Sequence, residues 1–330
     1  MMTPLAIIAA LLVINCQATK DFKLAFGSCS KYDPDDSLKI IDSVRHDHPD
    51  YFVHLGDTVY LDRSIPGKDI FVPQKNLTKV KELFRGLTGS EEIQRLQCSG
   101  TKLLAIWDDH DSDMDNGNSL TNPLIPIIRP IFIKEFNVHQ MPFDDSLHQI
   151  HLVHPSIMLV LMDTRSYKTA TEMFNEKTWV WLEEVISSIP KTSLLLIGSP
   201  TVVVYDDNPM QESWYPTDKL RLFNLLKQYQ THSIILSGDL HFGEIGRRAV
   251  YEFTSSGLTV TLEREGGGSF GGASILQLYP GLYTKVTDRF TSSNYGLVTV
   301  RFSAERKIKD IMLSLKDESG LEHVAKTISF

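Results

Sequence analysis

Short apolar runs recur along this chain, and each is stopped by a glycine or by a cluster of polar residues. Lys23–Phe26 ends in Gly27-Ser28-Cys29-Ser30, Tyr51–Leu55 in Gly56-Asp57, and Lys102–Trp107 in Asp108-Asp109-His110-Asp111. Ile157–Met162 ends in Asp163-Thr164-Arg165, Ser193–Ile197 in Gly198-Ser199-Pro200, and Ser233–Ser237 in Gly238-Asp239-Leu240-His241. Runs of this length and β-branched content predict buried strands. Helical spacing separates them. Ser37–His46 lies behind the cap candidates Asp35 and Asp36, Val80–Leu87 and Ser90–Leu96 form two short helices, and a helix opening at Thr178 stops at Pro190. Thr217–Tyr229 carries Leu220, Phe223, Leu226 and Tyr229, read as its core-facing stripe. Beyond residue 250 the pattern turns to strands, with Tyr295–Phe302 and Lys307–Leu315 closing the chain and Gly266–Gly268 and Gly271-Gly272 read as a loop. The fold class is α/β. Neither a repeat nor a linker divides it, so one domain is expected.

Composition narrows the partners. The chain has 330 residues, 42% hydrophobic and 22% charged, as in an ordinary globular protein. A net charge of −8 argues against a nucleic-acid or anionic-membrane surface and suits cations. Leu5–Ile14 is too short to span a bilayer and fits a signal-peptide core, with Ala18 as the small residue before cleavage. Residues 1–18 are therefore expected to be a leader and 19–330 the mature, secreted domain, the alternative being a buried N-terminal strand. Asn76-Leu77-Thr78 is an N-glycosylation sequon if the chain is secreted in a eukaryote. Cleavage leaves Cys29 and Cys98, which in an oxidising compartment form a disulfide unless Cys29 is a metal ligand.

Candidate chemistry gathers at the strand ends, the edge at which open α/β sheets bind ligands. Residues 108–116 read Asp-Asp-His-Asp-Ser-Asp-Met-Asp-Asn, and five carboxylates this close repel one another unless cations or water separate them. Asn116 and Asn122 stand where an EF-hand needs its glycine and its bidentate glutamate, which speaks against that motif. Asp57 and Tyr60 follow one strand. A phenol is a useful ligand at neutral pH only beside a strongly charged cation, which favours Fe³⁺ over Mg²⁺. Asp239 and His241 occupy alternate positions and can reach neighbouring metals. Arg165 is either a clamp for an anionic oxygen or the salt-bridge partner of Asp163. His110 is either a proton donor or a supporting residue.

Phe26-Gly-Ser-Cys29, Gly56-Asp57-Thr-Val-Tyr60-Leu-Asp62, Trp107-Asp-Asp-His110-Asp111 through Asn116, Met162-Asp-Thr-Arg165 and Ser237-Gly-Asp-Leu-His241 together resemble the ordered motifs of the PhoD-like alkaline phosphatases, within the calcineurin-like metallophosphoesterases. Glu212-Ser-Trp214-Tyr-Pro216 with Arg221, Ser255–Thr259 and Asn294-Tyr-Gly296 resemble further family features. The resemblance implies a layered αββα sandwich of two mixed β-sheets flanked by helices, with metals at strand ends. It implies one Fe³⁺ held by Cys29 and Tyr60, with Asp57 bridging, and two Ca²⁺ held with the help of Asp109, Asn116 and Asp239, His241 completing the cluster. Asp108, Asp109 and Asp111 compete for one of these roles. The implied activity is hydrolysis of a phosphate ester, a metal-bridged hydroxide attacking phosphorus in line while Arg165 steadies the equatorial oxygens and His110 protonates the leaving group. A phosphodiesterase or phospholipase D-like hydrolase would share every ligand. A non-enzymatic secreted calcium-binding protein would keep the Asp run without needing Cys29, Tyr60 or His241.

Overall fold

The computed structural model describes residues 20–34, 37–62, 76–204, 212–247, 249–261 and 289–330. The expected leader, the cap candidates Asp35 and Asp36 and the glycine-rich break lie outside the described residues.

In chain order the strands are β1 (Phe22–Gly27), β2 (Tyr51–Leu55), β3 (Lys102–Ile106), β4 (Gln149–His154), β5 (Ile157–Leu161), β6 (Leu194–Ser199) and β7 (His232–Ser237). They continue as β8 (Gly243–Arg247), β9 (Tyr251–Ser255), β10 (Arg289–Phe290), β11 (Asn294–Phe302), β12 (Ile308–Asp317) and β13 (Glu322–Ser329). Helices α1 (Lys39–His46), α2 (Leu77–Thr88), α3 (Glu91–Cys98), α4 (Ile125–Glu135), α5 (Glu176–Ser188) and α6 (Pro216–Tyr229) lie between them. The strands form two sheets, ordered β13-β12-β11-β1-β2-β3 and β10-β8-β9-β7-β6-β5-β4. Both are mixed: β1, β2 and β3 run parallel while β11 joins β1 antiparallel, and β5, β6, β7 and β9 run parallel while β4 and β8 join antiparallel. The expected α/β sandwich of two mixed sheets with helices is the observed architecture.

Alternation along the strands assigns the layers. Leu159, Leu161, Leu196, Ile234, Leu236 and Phe253 share one core with the first sheet, where Phe253 meets Phe26 edge-on at 4.9 Å. Their neighbours Val160, Met162, Leu195, Ile197 and Ile235 pack in a second core against Trp179, Leu182, Leu222 and Leu226 of α5 and α6. Each fully buried side chain of this size contributes about 1.5–3 kcal/mol, so both faces of the second sheet are firmly held. Local signals start the helices: Asn76, Ser90 and Asn175 accept hydrogen bonds from Lys79, Ile93 and Thr178 N–H groups, and Pro216 begins α6.

The structure departs from the sequence reading in one stripe, adds elements to it and decides one alternative. Leu220 of α6 is 61% exposed, and the buried face is Leu222, Leu225 and Leu226. Residues spaced by three drift around a helix of 3.6 residues per turn, so the four-residue stripe could not face one way. Helix α4, with Pro130 inside it, and strands β4, β8 and β13 were not foreseen, and β13, not β12, closes the described chain. Cys29 and Cys98 are both free thiols, Cys29 buried after β1 and Cys98 exposed at the end of α3, so the disulfide alternative is not realised. Among the described residues, no helix is long and apolar enough to cross a membrane.

Candidate metal centre

Strand register delivers the candidate residues to one edge. Gly27 lies opposite His54, Leu55 opposite Ile106, and Ser199 opposite Ser237, so the carboxyl ends of both parallel blocks finish level. Ser28 bridges to Ser256, joining the two sheets at that edge. The backbone then turns sharply: Cys29, Asp57, Asp239 and His241 have φ of 58°, 54°, 72° and 59°. Non-glycine residues held in this left-handed region cost free energy and cluster at functional sites. Gly56 makes the turn before Asp57 at φ +85°, and a Cβ there would lie 2.6 Å from the Asp108 Cβ, so only glycine lets the two loops approach.

Asp57 is the hub. Its Oδ2 accepts hydrogen bonds from Cys29 Sγ at 3.4 Å and Tyr60 Oη at 3.2 Å, while Tyr60 Oη lies 3.3 Å from His241 Nε2. Ser256 secures both neighbours, its Oγ 3.2 Å from Cys29 Sγ and accepting the His241 N–H at 2.8 Å. Ligand atoms of Cys29, Asp57 and His241 lie within 4.8 Å of one another, and so do those of Asp57, Asp108, Asp109 and Asp239. A third group joins Asp57, Asp109 and His110. Asp57 Oδ1 and Asp108 Oδ2 are buried and accept no hydrogen bond. Orphaned carboxylate oxygens are costly in a dry interior, and a cation is what such a group fits.

The three competing aspartates separate cleanly. Asp111 Oδ1 accepts from the Thr58 and Val59 N–H groups at 2.9 and 3.0 Å and from Thr58 Oγ1, while Oδ2 accepts from Asp108 N–H at 3.0 Å. It ties the two loops together with no oxygen to spare. Asp108 pairs through Oδ1 with Arg165 Nε and leaves Oδ2 bare. Asp109 accepts the Asn116 N–H through Oδ2 at 2.5 Å and faces Arg165 Nη2 at 3.6 Å through Oδ1. Asn116 itself is exposed and reaches the cluster through its backbone.

Arg165 is fully buried. Its guanidinium pairs with Asp108, Asp109 and, at 2.8 Å, Glu212, and not with Asp163. Asp163 instead accepts from Trp107 Nε1, Leu147 N–H, Ser166 Oγ and the Arg165 backbone N–H, fixing the loop after β5. Lys168 also pairs with Glu212. Nothing in the sequence marked Lys168, whereas Glu212 and Ser256 sat inside motifs without an assigned role. His110 stacks on Tyr60 with centroids 4.1 Å apart and holds Asp62 through Nδ1 at 2.8 Å; its Nε2 is 3.6 Å from Asp115.

Without cations this edge is electrostatically crowded. Burial, with Cys29 and the other aspartates adding, pushes Asp57 well above the usual carboxylate range. Burial likewise raises Asp108 to about 6 and, with the charges of Asp108 and Asp109, Asp239 to about 7. Burial pushes Asp109 up too, but Arg165, His110 and backbone N–H groups outweigh it and hold it at about 2. The Cys29 thiol is pushed up to about 12 by burial, so it ionises at neutral pH only with a metal to take the charge.

Neither a family model nor a curated protein sequence matches this chain. Solved structures do. PhoD aligns with a TM-score of 0.62 at 14% identity, covering 94% of this chain and 68% of that one. A purple acid phosphatase, PPD1, from yellow lupin (Lupinus luteus) seeds aligns at 0.63 and 13%, covering 94% and 54%. A dimetal phosphatase from Danio rerio aligns at 0.58 and 12%, covering 94% and 99%. The chain spans about half the length of the lupin enzyme and nearly all of the zebrafish one. What these identities establish is a common architecture: the chain has the two-sheet, helix-flanked fold of metal-dependent phosphatases, with a buried acidic cluster able to hold metal at the strand ends.

Proposed function

We propose that this chain is a secreted, metal-dependent phosphoric ester hydrolase of the PhoD-like kind, made as a leader, 1–18, and one catalytic domain, 19–330. The observation that carries the reading is Asp57, buried, shared by three candidate ligand groups and holding one oxygen free of any hydrogen bond. Cys29, Tyr60 and His241 surround one side of Asp57, a thiol, phenol and imidazole set suited to Fe³⁺. Asp109, Asn116 and Asp239 lie toward the oxygen-rich side, suited to Ca²⁺, with Asn116 having to turn its side chain inward to serve. Asp108 joins that group by its bare oxygen, while Asp111 has none to offer. When bound, such cations supply Lewis acidity, lowering the pKa of a water and neutralising charge on the phosphoryl group.

The chain's own residues do the rest. Asp62 holds His110 through Nδ1, which leaves Nε2, 3.6 Å from Asp115, as the nitrogen that can hand a proton to the leaving alkoxide. Arg165 offers its fork to equatorial phosphoryl oxygens once Glu212, itself an anion on that fork, gives way. The strained turns at Cys29, Asp57, Asp239 and His241 hold the ligands in place before any substrate arrives. Monoester and diester hydrolysis use the same set, and parallel turnover assays on a phosphate monoester and a diester separate them.

Metal content per purified chain, with ester kinetics on wild type and Asp57→Asn, tests this reading. Iron and calcium in fixed stoichiometry are expected, with turnover abolished and the circular dichroism spectrum unchanged in the variant. Near-normal turnover in Asp57→Asn would sink the shared-ligand role. A wild-type protein with calcium but no iron would instead favour the secreted calcium-binding alternative and remove Cys29 and Tyr60 from the ligand set.

A further inference from the structure

At the opposite end of the same strands lies a cavity of about 540 Å³. Strands β6, β7 and β9 begin there with Leu194, His232 and Tyr251, and end at the metal edge with Ser199, Ser237 and Ser255. A six-residue strand puts roughly 17 Å between the two places. The cavity is thus separate from the acidic cluster, and its size falls within the range of small-molecule sites, roughly 300–1,000 Å³.

Its walls are of two kinds. The floor is apolar: Leu194 and Ile234 from the second sheet, Leu226 from α6, and Ile311 and Ile328 from β12 and β13 of the first sheet. The rim is basic. Lys227 and Arg247 are exposed there, with His232, whose ring lies 4.5 Å from that of Phe330. No acidic side chain lines the cavity among the described residues, although the chain as a whole carries a net charge of −8. Lys227 has no ion-pair partner among the described residues. Arg247 leans on Tyr251, its Cζ 4.9 Å from the ring centroid, and donates to the phenol oxygen at 3.4 Å. A guanidinium held against an aromatic face keeps its outer N–H groups for another acceptor. Thr231 Oγ1, on the residue joining α6 to β7, is buried without a hydrogen-bond partner and belongs to the same lining.

We propose that this cavity is a binding site for a small anionic amphiphile, a carboxylate on an apolar tail of the fatty-acid kind. The carboxylate sits between Lys227 and Arg247 at the rim, and the tail covers the half-buried Phe223, Tyr251, Ile328 and Phe330 side chains that stand over the buried floor of Leu194, Leu226, Ile234 and Ile311. The division of the wall into a basic rim and an apolar side selects this ligand: a purely polar anion would leave the half-buried Phe223, Tyr251, Ile328 and Phe330 wet, and a neutral hydrocarbon would leave the cations unanswered. The site is independent of ester hydrolysis and stands or falls apart from it.

Calorimetric titration of the full metal-loaded chain with dodecanoate, kept below its micellar concentration, is the test. One saturable site per chain is expected. Replacing both rim cations, Lys227→Glu with Arg247→Glu, removes two charge-assisted contacts and is expected to weaken binding by at least roughly tenfold, with ester turnover unchanged. Ile328→Trp fills the floor from the sheet's edge strand and is expected to weaken binding through lost volume. Asp57→Asn, at the other end, is expected to bind dodecanoate as wild type does. Absence of saturable binding overturns the proposal. So does binding that survives both the rim and the floor variants in folded protein, or binding that Asp57→Asn abolishes, since the carboxylate would then be sitting on the metal cluster.

Discussion

Glu252 on β9 offers a test of how the loop beneath Arg165 is held. Its Oε1 accepts the Val203 N–H at 2.8 Å and its Oε2 the Val204 N–H at 2.7 Å, pinning the segment after β6 in which Thr201 Oγ1 lies 3.5 Å from Arg165 Nη2. Glu252→Gln keeps the shape but has one acceptor oxygen for two donors, so one buried N–H loses its partner at a cost of about 1–3 kcal/mol. Charge works the other way. Burial, with Glu244 adding, raises the Glu252 carboxyl from 4.5 to about 7, despite the hydrogen bonds that lower it. A carboxyl raised in the folded state stabilises fully below its unfolded value, and that stability is lost as pH rises through 7. Moving from pH 5 to pH 9 therefore costs the wild type about 2.5 kcal/mol at this residue, while glutamine does not titrate. The variant should be less stable than wild type by about 1–3 kcal/mol at pH 5 and should equal or exceed it at pH 9. Urea unfolding of both proteins at the two pH values reads this directly. Stability curves that stay parallel, with the same gap at each pH, would refute the assignment of a buried, titrating Glu252.

Two further outcomes follow from the site itself. Asp111→Asn should lower stability by about 1–3 kcal/mol, because the Asp108 N–H then faces an amide donor, yet the metal content per chain should stay as in wild type; loss of a metal equivalent would return Asp111 to the ligand set. Gly56→Ala should strip both metal and turnover although Gly56 has no side chain to offer. Its Cβ would lie 2.6 Å from the Asp108 Cβ at a φ of +85°, and full metal occupancy in that variant would show the loops to be more yielding than this geometry allows.

The apolar runs and their polar endings were enough to read the strands that carry the site, because a buried strand needs a continuous apolar face and a chain leaving the sheet needs glycine or a turn. For the same reason Asp57, Tyr60, Asp239 and His241 could be named as candidates from their positions after strands, while Cys29 and Asp109 were singled out by the family resemblance, and the structure brings Asp57 into contact range of the rest. Choosing among Asp108, Asp109 and Asp111 was beyond any linear pattern. Three carboxylates in four residues look alike until the fold gives both oxygens of one to neighbouring N–H groups, pairs the second with Arg165 and leaves the second's other oxygen bare. Arg165 was ambiguous for the same reason: its partner comes from the loop after β3 and from Glu212, far away in sequence, and not from the adjacent Asp163. The sequence by itself determined which segments become strands and which residue types arrive at their ends, since local propensity and periodicity act over a few residues. Only the tertiary structure decided which of those residues share a charge, a hydrogen bond or a cavity wall, because those pairings join segments that meet nowhere except in the folded chain.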